Sequence, residues 1–369
     1  MIAAGGTGGH IYPGLALASA IRRQRPNAAI TFVGTKRGLE QRIVPAEGYP
    51  LALVGMVPFT GRYRAIFPAA LLRAGVQANR VLRHEQASVA VGMGGYASAP
   101  LILGAWMGRV PSLVHESGAI PGKANLLTAR LATEIALAYE EARSAFPRGE
   151  RARVVGMPLD ETKTTLDRHA RRPAARRALG LPADAFVVFV TGGSQGAASL
   201  NNAAVGLGAR WRERDDLRVL LKAGATHVEQ VEKELAANGG AAAVRCVSYI
   251  EHIEDAYAAA DLAISRAGAG SVAEVAVIGL PTIFVPYPFA TDDHQTINAK
   301  GLVEAGGALL VNDADATADH LGPIIERLAA DPDELTRMET AARAVARPRA
   351  ADDLAAMVLE LAGEGRVAA

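Results

Sequence analysis

Aspartate is missing from the first 155 of the 369 residues, and cysteine occurs once, at Cys246. A single cysteine excludes an intrachain disulfide and fits a reducing compartment. Aromatic residues make up only 5% of the chain, whereas glycine is abundant at 38 residues. No Gly-X-Y period accompanies those glycines, which excludes a collagen-like chain and suits tight turns at strand ends. No basic segment and no cleavage site follow Met1, so no targeting peptide is expected and a soluble cytoplasmic protein is. The uncharged run from Gln86 to Gly108 has the length of a membrane span, but Gly92, Gly94, Gly95 and Pro100 interrupt it. It reads better as strand, turn and helix start. The length is a prior for two domains, each large enough to bury a core without a disulfide or metal staple.

The overall charge of +1 conceals an asymmetry. Residues 1–155 carry 18 Lys and Arg against 8 Glu, net +10, and residues 156–369 carry 21 against 30 acidic residues, net −9. A basic half and an acidic half suggest two domains with different partners. The basic half suits nucleic acid, an anionic membrane or a phosphorylated substrate; composition drift on solvated faces would produce the same numbers.

Strands and helices alternate along the chain. A short apolar run ends at Ala4 before a glycine loop, and helical spacing follows over Leu15–Arg23. Only four residues precede those glycines, so the first strand is expected to be short, and a coding start upstream of Met1 would account for it. Ile30–Val33, Val89–Val91 and the strand running into His115 and Glu116 complete a first series. Phe186–Val190, Leu217–Leu221, Leu262–Ile264, Thr282–Val285 and Leu309–Val311 form a second. Such alternation implies α/β architecture, with parallel sheets and helical crossovers. Two series, each opened by a strand and a Gly-rich loop, imply two Rossmann-like domains. The expected division is residues 1–155, a polar linker over 156–182 with Pro158, Pro173 and Pro182, a second domain over 183–346, and a terminal helix over 347–369. The cleft between the domains is the expected ligand site.

Four loops carry candidate chemistry. Gly5, Gly6, Thr7, Gly8 and Gly9 lead to His10, and a helix expected to begin near Pro13 would aim its positive end at an anion there. A dinucleotide site would need a carboxylate after the second strand, but that strand runs out at Val33, Gly34 and Thr35. His10 has the chemistry of a general base near neutral pH, and equally that of a helix-start histidine bracing the loop. Gly268–Ser271 is a second anion loop, with Glu274 expected in the first helical turn behind it, either to accept hydrogen bonds from vicinal ribose hydroxyls or to favour the helix dipole. Asp292, Asp293, His294, Gln295 and Asn298 offer the mixed donors and acceptors that sugar hydroxyls need, whereas half a metal site is a weaker reading of Asp293 and His294. Asp313-Ala314-Asp315 has the form of a metal-binding Asp-X-Asp, but its place in a polar turn favours a plain surface loop.

The motifs GGTGGHIYPGLALA, GMGGYAS, HES with PGKAN, GGSQGA, GAGSVAEV and DDHQTINA occur in this order over nearly the whole chain. The ordered set resembles the MurG-type UDP-N-acetylglucosamine–N-acetylmuramyl-(pentapeptide) pyrophosphoryl-undecaprenol N-acetylglucosamine transferases of peptidoglycan synthesis. The resemblance implies a GT-B fold, two Rossmann-like domains with parallel sheets facing across a cleft. It implies an inverting, metal-independent hexosyltransferase without a cofactor, taking UDP-GlcNAc as donor and lipid I as acceptor and making lipid II. By the same resemblance Ser194 contacts phosphate, the backbone of Ile250 reads uracil, and Ala269, Gly270, Ser271, Val272, Ala273 and Glu274 wrap the diphosphate and ribose. His294 and Gln295 hold the GlcNAc, Thr7, Gly8 and Gly9 line the acceptor site, and His10 and Glu116 are the catalytic candidates.

The implied setting is the cytoplasmic face of the cell membrane, with no nucleic acid partner. Tyr63, Ile66, Phe67, Leu71, Leu72, Trp106 and Met107 lie among Arg62, Arg64, Arg73, Arg80, Arg83 and Arg109, a composition suited to an anionic lipid surface and also to an ordinary amphipathic helix on a sheet. Three residues depart from the family. Ser117 and Gly118 follow His115-Glu116 where the family usually has Gln-Asn, and Asp160 stands where it often has Arg. Those departures leave room for a relative with altered or lost activity, and the shared architecture leaves a second alternative, a UDP-GlcNAc 2-epimerase-like enzyme.

Overall fold

The computed structural model describes residues 1–36, 38–56, 66–147, 149–193 and 196–367. The chain divides into two compact units, Met1–Glu161 with Arg347–Ala369, and Thr162–Ala346. The terminal helix therefore belongs with the first unit.

The first unit alternates β1 (Ile2–Ala3), α1 (Gly8–Gln24), β2 (Phe32–Thr35), α2 (Glu40–Ala46), β3 (Leu51–Val54), α3 (Phe67–His84), β4 (Ala90–Gly92), α4 (Ser98–Gly108), β5 (Ser112–Glu116), α5 (Lys123–Thr128), β6 (Glu134–Leu137) and β7 (Arg153–Val154). Its seven strands are ordered β3-β2-β1-β4-β5-β6-β7 and every pairing is parallel. One face is covered by α1 and by the C-terminal helix, whose Leu354, Ala355 and Val358 join Leu15, Leu17 and Ile21 in one core. On the other face, Ala78 and Leu82 of α3 and Leu101 and Ala105 of α4 pack with Val33 and Ala90. Helix α1 starts at Gly8, five residues ahead of the expected start, so Pro13 lies inside it and His10 in its first turn. The apolar packing of Ile11, Leu15 and Leu17 against the sheet outweighs the poor intrinsic propensity of the Gly-Gly start.

The second unit takes in most of α6 (Glu161–Thr164), then α7 (Arg168–Leu179), β8 (Phe186–Thr191), α8 (Ala198–Arg210), β9 (Leu217–Lys222), α9 (Val228–Asn238), β10 (Val244–Val247), α10 (Ile253–Ala259), β11 (Leu262–Ser265), α11 (Ala269–Ile278), β12 (Thr282–Phe284), α12 (His294–Glu304), β13 (Ala308–Leu310), α13 (Ala318–Ala329) and α14 (Pro332–Val345). Helix α15 (Ala350–Val367) follows in the first unit. The sheet order is β10-β9-β8-β11-β12-β13, again all parallel. Alternate residues of β8 go to opposite faces. Val188 and Val190 pack with Leu200, Leu207 and Ile325, and Val187 and Phe189 with Tyr257, Val275 and Leu302. A strand buried on both faces reads as a continuous apolar run, as β8 does.

The segment expected to be a linker instead carries α7, an ordered helix of this unit. Its arginines supply the reason: Arg168 donates to the Ala260 carbonyl at 3.1 Å and pairs with Glu339, and Arg176 donates to the Ala259 carbonyl at 3.0 Å and pairs with Asp261.

Candidate active site

In each sheet the strand order reverses once, between β1 and β4 in the first unit and between β8 and β11 in the second. Crossover helices leave the two neighbouring strands there in opposite directions, which opens a crevice at their carboxyl ends. The glycine loops after β1 and β4 border one such crevice, and those after β8 and β11 border the other.

Thr7 caps the start of α1 in extended backbone, Gly8 and Gly9 form its first turn, and His10 follows. Gly94 and Gly95, at φ +102° and +76°, bring the β4–α4 loop against the imidazole. A Cβ on Gly94 would come within 2.6 Å of His10 Cδ2, and one on Gly95 would collide with the Gly5 carbonyl. The GMGGYAS motif thus shapes the wall around His10. Burial lowers the His10 pKa from its ordinary value, and the Gly5 carbonyl opposes that shift. Its Nδ1 is buried without a hydrogen bond of good geometry. The result is a neutral imidazole near pH 7, the form a general base requires.

His115 and Glu116 end β5. His115 Nε2 lies 3.0 Å from the Gly156 carbonyl, and an oxygen partner fixes the proton on Nε2. Burial, helped by the nearby His10, holds its pKa down at about 4 against that hydrogen bond. Both Glu116 oxygens are engaged. Oε1 accepts from the Gly118 N–H at 2.9 Å, and Oε2 accepts from the Gly122 N–H at 3.0 Å and from Asn125 Nδ2 at 2.9 Å. Burial raises its pKa and these donors counter the rise. Glu116 therefore organises the loop over 117–122.

The sequence did not single out Glu40. It is fully buried, and accepts from the Gly6 N–H at 3.0 Å and from Thr35 through N–H at 2.8 Å and Oγ1 at 3.0 Å. Glu40 stands five residues beyond Thr35, where the second strand ends, and faces inward onto the loop.

In the second unit Ser194 lies outside the described residues. Ile250 follows β10 with its side chain buried beside Tyr257 and Leu220, leaving its backbone in the loop. Ala269, Gly270, Ser271, Val272 and Ala273 open α11 behind Gly268, and a Cβ on Gly270 would meet only open space. Glu274 lies in the second turn rather than the first, which removes the dipole reading. Tyr257 Oη donates to its Oε2 at 2.7 Å, and Lys163 Nζ is 3.9 Å from its Oε1. Burial raises the Glu274 pKa, and Lys163, Tyr257 and Lys222 oppose that.

His294 and Gln295 begin α12 directly after Asp292 and Asp293, whose φ values of +55° and +52° are left-handed. Two successive non-glycine residues there mark a strained entry of the kind found at binding loops. Gln295 Oε1 accepts from the Tyr287 N–H at 2.9 Å, and Asn298 Nδ2 donates to the Ala267 carbonyl at 3.1 Å, linking this turn to the β11 loop. Arg266, also missed in the sequence, braces these strand ends. It donates to the Val285 and Pro286 carbonyls, to Asp313 Oδ1 at 2.6 Å and to Ser199 Oγ at 2.9 Å. Asp313 is thereby a brace of the loop.

Residues 1–137 match the glycosyltransferase family 28 N-terminal domain, and residues 187–354 the family 28 C-terminal domain. The UDP-N-acetylglucosamine–N-acetylmuramyl-(pentapeptide) pyrophosphoryl-undecaprenol N-acetylglucosamine transferase of Desulforudis audaxviator is 39% identical, with 99% of each chain covered. That of Saccharopolyspora erythraea is 42% identical, covering 98% of this chain and 94% of its own. Among solved structures, Acinetobacter baumannii MurG superposes with a TM-score of 0.77 at 29% identity over 98% of both chains. Anabaena HepE in complex with UDP shares the fold at 16% identity, with a TM-score of 0.63 over 97% of this chain and 98% of its own.

Proposed function

The chain belongs to glycosyltransferase family 28 and to its MurG-type N-acetylglucosamine transferases, and on that footing we propose that it moves GlcNAc from UDP-GlcNAc to the muramyl 4-hydroxyl of lipid I, giving lipid II. The observation that carries this reading is the near-complete similarity to transferases of that name, on a chain that forms the two α/β units of a GT-B enzyme.

The first unit is the acceptor side, with Thr7, Gly8 and Gly9 lining the site. His10 takes the proton of the 4-hydroxyl as its oxygen attacks the anomeric carbon. The bond from that carbon to the β-phosphate oxygen breaks, configuration inverts, and UDP leaves. Glu116 acts as a positioning residue, holding the loop over 117–122 beside the base. The second unit is the donor side. Ser194 and the start of α11 meet the phosphates, Glu274 the ribose hydroxyls, the Ile250 backbone the uracil, and His294 with Gln295 the GlcNAc hydroxyls. Backbone amides and hydroxyl donors then stabilise the departing diphosphate.

Membrane association belongs to the same reading. Ile66, Leu72, Trp106 and Met107 are exposed on or beside α3 and α4, with Arg73, Arg80, Arg83 and Arg109 exposed among them. Arg62, Tyr63 and Arg64 lie outside the described residues. Among the described residues no helix is long and apolar enough to cross a membrane. An apolar patch ringed by arginine suits reversible docking on the anionic inner face of the cell membrane.

The deciding experiment follows label from UDP-GlcNAc into a lipid I analogue, with EDTA present and an acceptor-free control. Labelled lipid product supports the transferase. Release or isomerisation of the sugar without acceptor would favour the epimerase-like alternative, and product that vanishes only with EDTA would overturn metal independence.

A further inference from the structure

Lys222 is the last residue of β9, at the carboxyl edge of the second sheet. Its register partner is Thr191, from which the chain enters the Gly192–Gly193 loop. It is half-buried, and among the described residues no carboxylate comes within ion-pair distance of it. Its electrostatic partner is Glu274 on α11, and in the sheet order β9 adjoins β8, so Lys222 flanks the loop after β8 on the side away from β11. Glu274 is already engaged, by Tyr257 on one oxygen and by Lys163 near the other. Glu254, the other carboxylate felt by Glu274, lies 3.6 Å from His252 Nδ1.

Partly burying an ammonium group costs free energy unless an anion or dipole compensates it. Here the compensation inside the protein is partial, because Lys163 takes up Glu274. Burial accordingly lowers the Lys222 pKa, with Glu274 opposing. An anion arriving at the glycine loop after β8 would complete the set.

We propose that Lys222 is a binding residue for the diphosphate of the donor nucleotide, and that Lys163, by occupying Glu274, keeps Lys222 free for that role. This rests on the donor-site reading above. It adds a point charge from the sheet edge to a site otherwise built of backbone and hydroxyl groups.

The test is calorimetric titration of the full chain with UDP and, separately, with uridine. Losing one charge-assisted contact is worth about tenfold in affinity. Lys222→Met is therefore expected to weaken UDP by about that factor and leave uridine unchanged, and Lys222→Arg to retain most of the UDP affinity. Lys163→Met is expected to weaken UDP to a smaller extent, as Glu274 turns toward Lys222. Unchanged UDP affinity in Lys222→Met, or equal losses for UDP and uridine, would overturn the assignment while the donor site stands. A parent protein that binds neither ligand would overturn the donor-site reading and this assignment with it. Uridine binding by the variants also reports that they are folded.

Discussion

Glu40 accepts a hydrogen bond from the backbone N–H of Gly6, 3.0 Å away, and so ties the second crossover of the first sheet to the glycine loop in front of His10. Its other oxygen is held by Thr35, through both backbone and side chain. Replacing it with alanine strands three part-buried donors at once. Glu40→Ala should lower stability by roughly 2–4 kcal/mol, read as the shift of the denaturation curve, because each unsatisfied donor costs about 1–3 kcal/mol and some recover water. Glu40→Gln should lose less, since its amide oxygen keeps one acceptor. A Glu40→Ala curve that overlays the parent would contradict the arrangement.

Gly94 leaves no room for a side chain beside the imidazole, since the added carbon would sit 2.6 Å from His10 Cδ2. Gly94→Ala should therefore displace His10 and reduce kcat by about 100-fold, the scale of an ångström-sized misplacement of a reacting group. UDP affinity, assigned to the second unit in the proposed donor site, should be retained. Equal kcat in Gly94→Ala would show that the ring position does not matter to turnover.

Burial lowers the His10 pKa below its ordinary 6.5. If His10 is the base, kcat/KM should hold steady through neutral pH and fall on the acid side, with its midpoint below 6.5, as protonation removes the acceptor. His10→Ala should lower kcat by about 100-fold or more and abolish that acid limb. An unaltered acid limb in the variant would assign it to another group.

His115 gives a stability prediction with a definite sign. Its folded pKa is about 4, against an ordinary 6.5, so the unfolded chain takes up a proton that the folded chain refuses. The contribution is present above pH 6.5 and is lost as pH falls from there to about 4, a range worth roughly 3 kcal/mol. His115→Gln preserves a donor for the Gly156 carbonyl and removes the titration. Its Tm should decline less than that of the parent between pH 7 and pH 4.5; parallel declines would show that His115 does not drive acid sensitivity.

Vesicle flotation tests the membrane patch. Binding to anionic vesicles should exceed binding to neutral ones and weaken as salt rises, because exposed charges are screened within about 10 Å at 0.1 M. Substituting Leu72 and Trp106 by serine should weaken binding at every salt concentration. Equal binding to neutral vesicles would remove the arginines from the account.

The central strands were legible because they are locally redundant. Phe186–Val190 is apolar throughout and closed by glycines, which is how a strand covered on both faces must look. The edge strands β7 and β10 give no such signal: β7 is two residues long and begins with Arg153, and Arg245 interrupts β10. The arginine-rich α7 reads as a linker because the groups that bury Arg168 and Arg176, near residues 260 and 339, are distant in sequence. The glycine loops and His10 could be picked out from their spacing. Glu40, Arg266 and Lys222 could not, since each is defined by partners on other elements.

The return of α15 to the first unit sets an order of assembly. The second unit is one uninterrupted stretch, Thr162–Ala346, whereas the core around α1 needs Leu354, Ala355 and Val358 from the far end of the chain. During synthesis the second unit can close its core while α1 still waits for its covering helix. The side of α1 that α15 covers must therefore stay open until that helix has been made. Domains normally fold from the N-terminus first; here the first part made is the last to be finished.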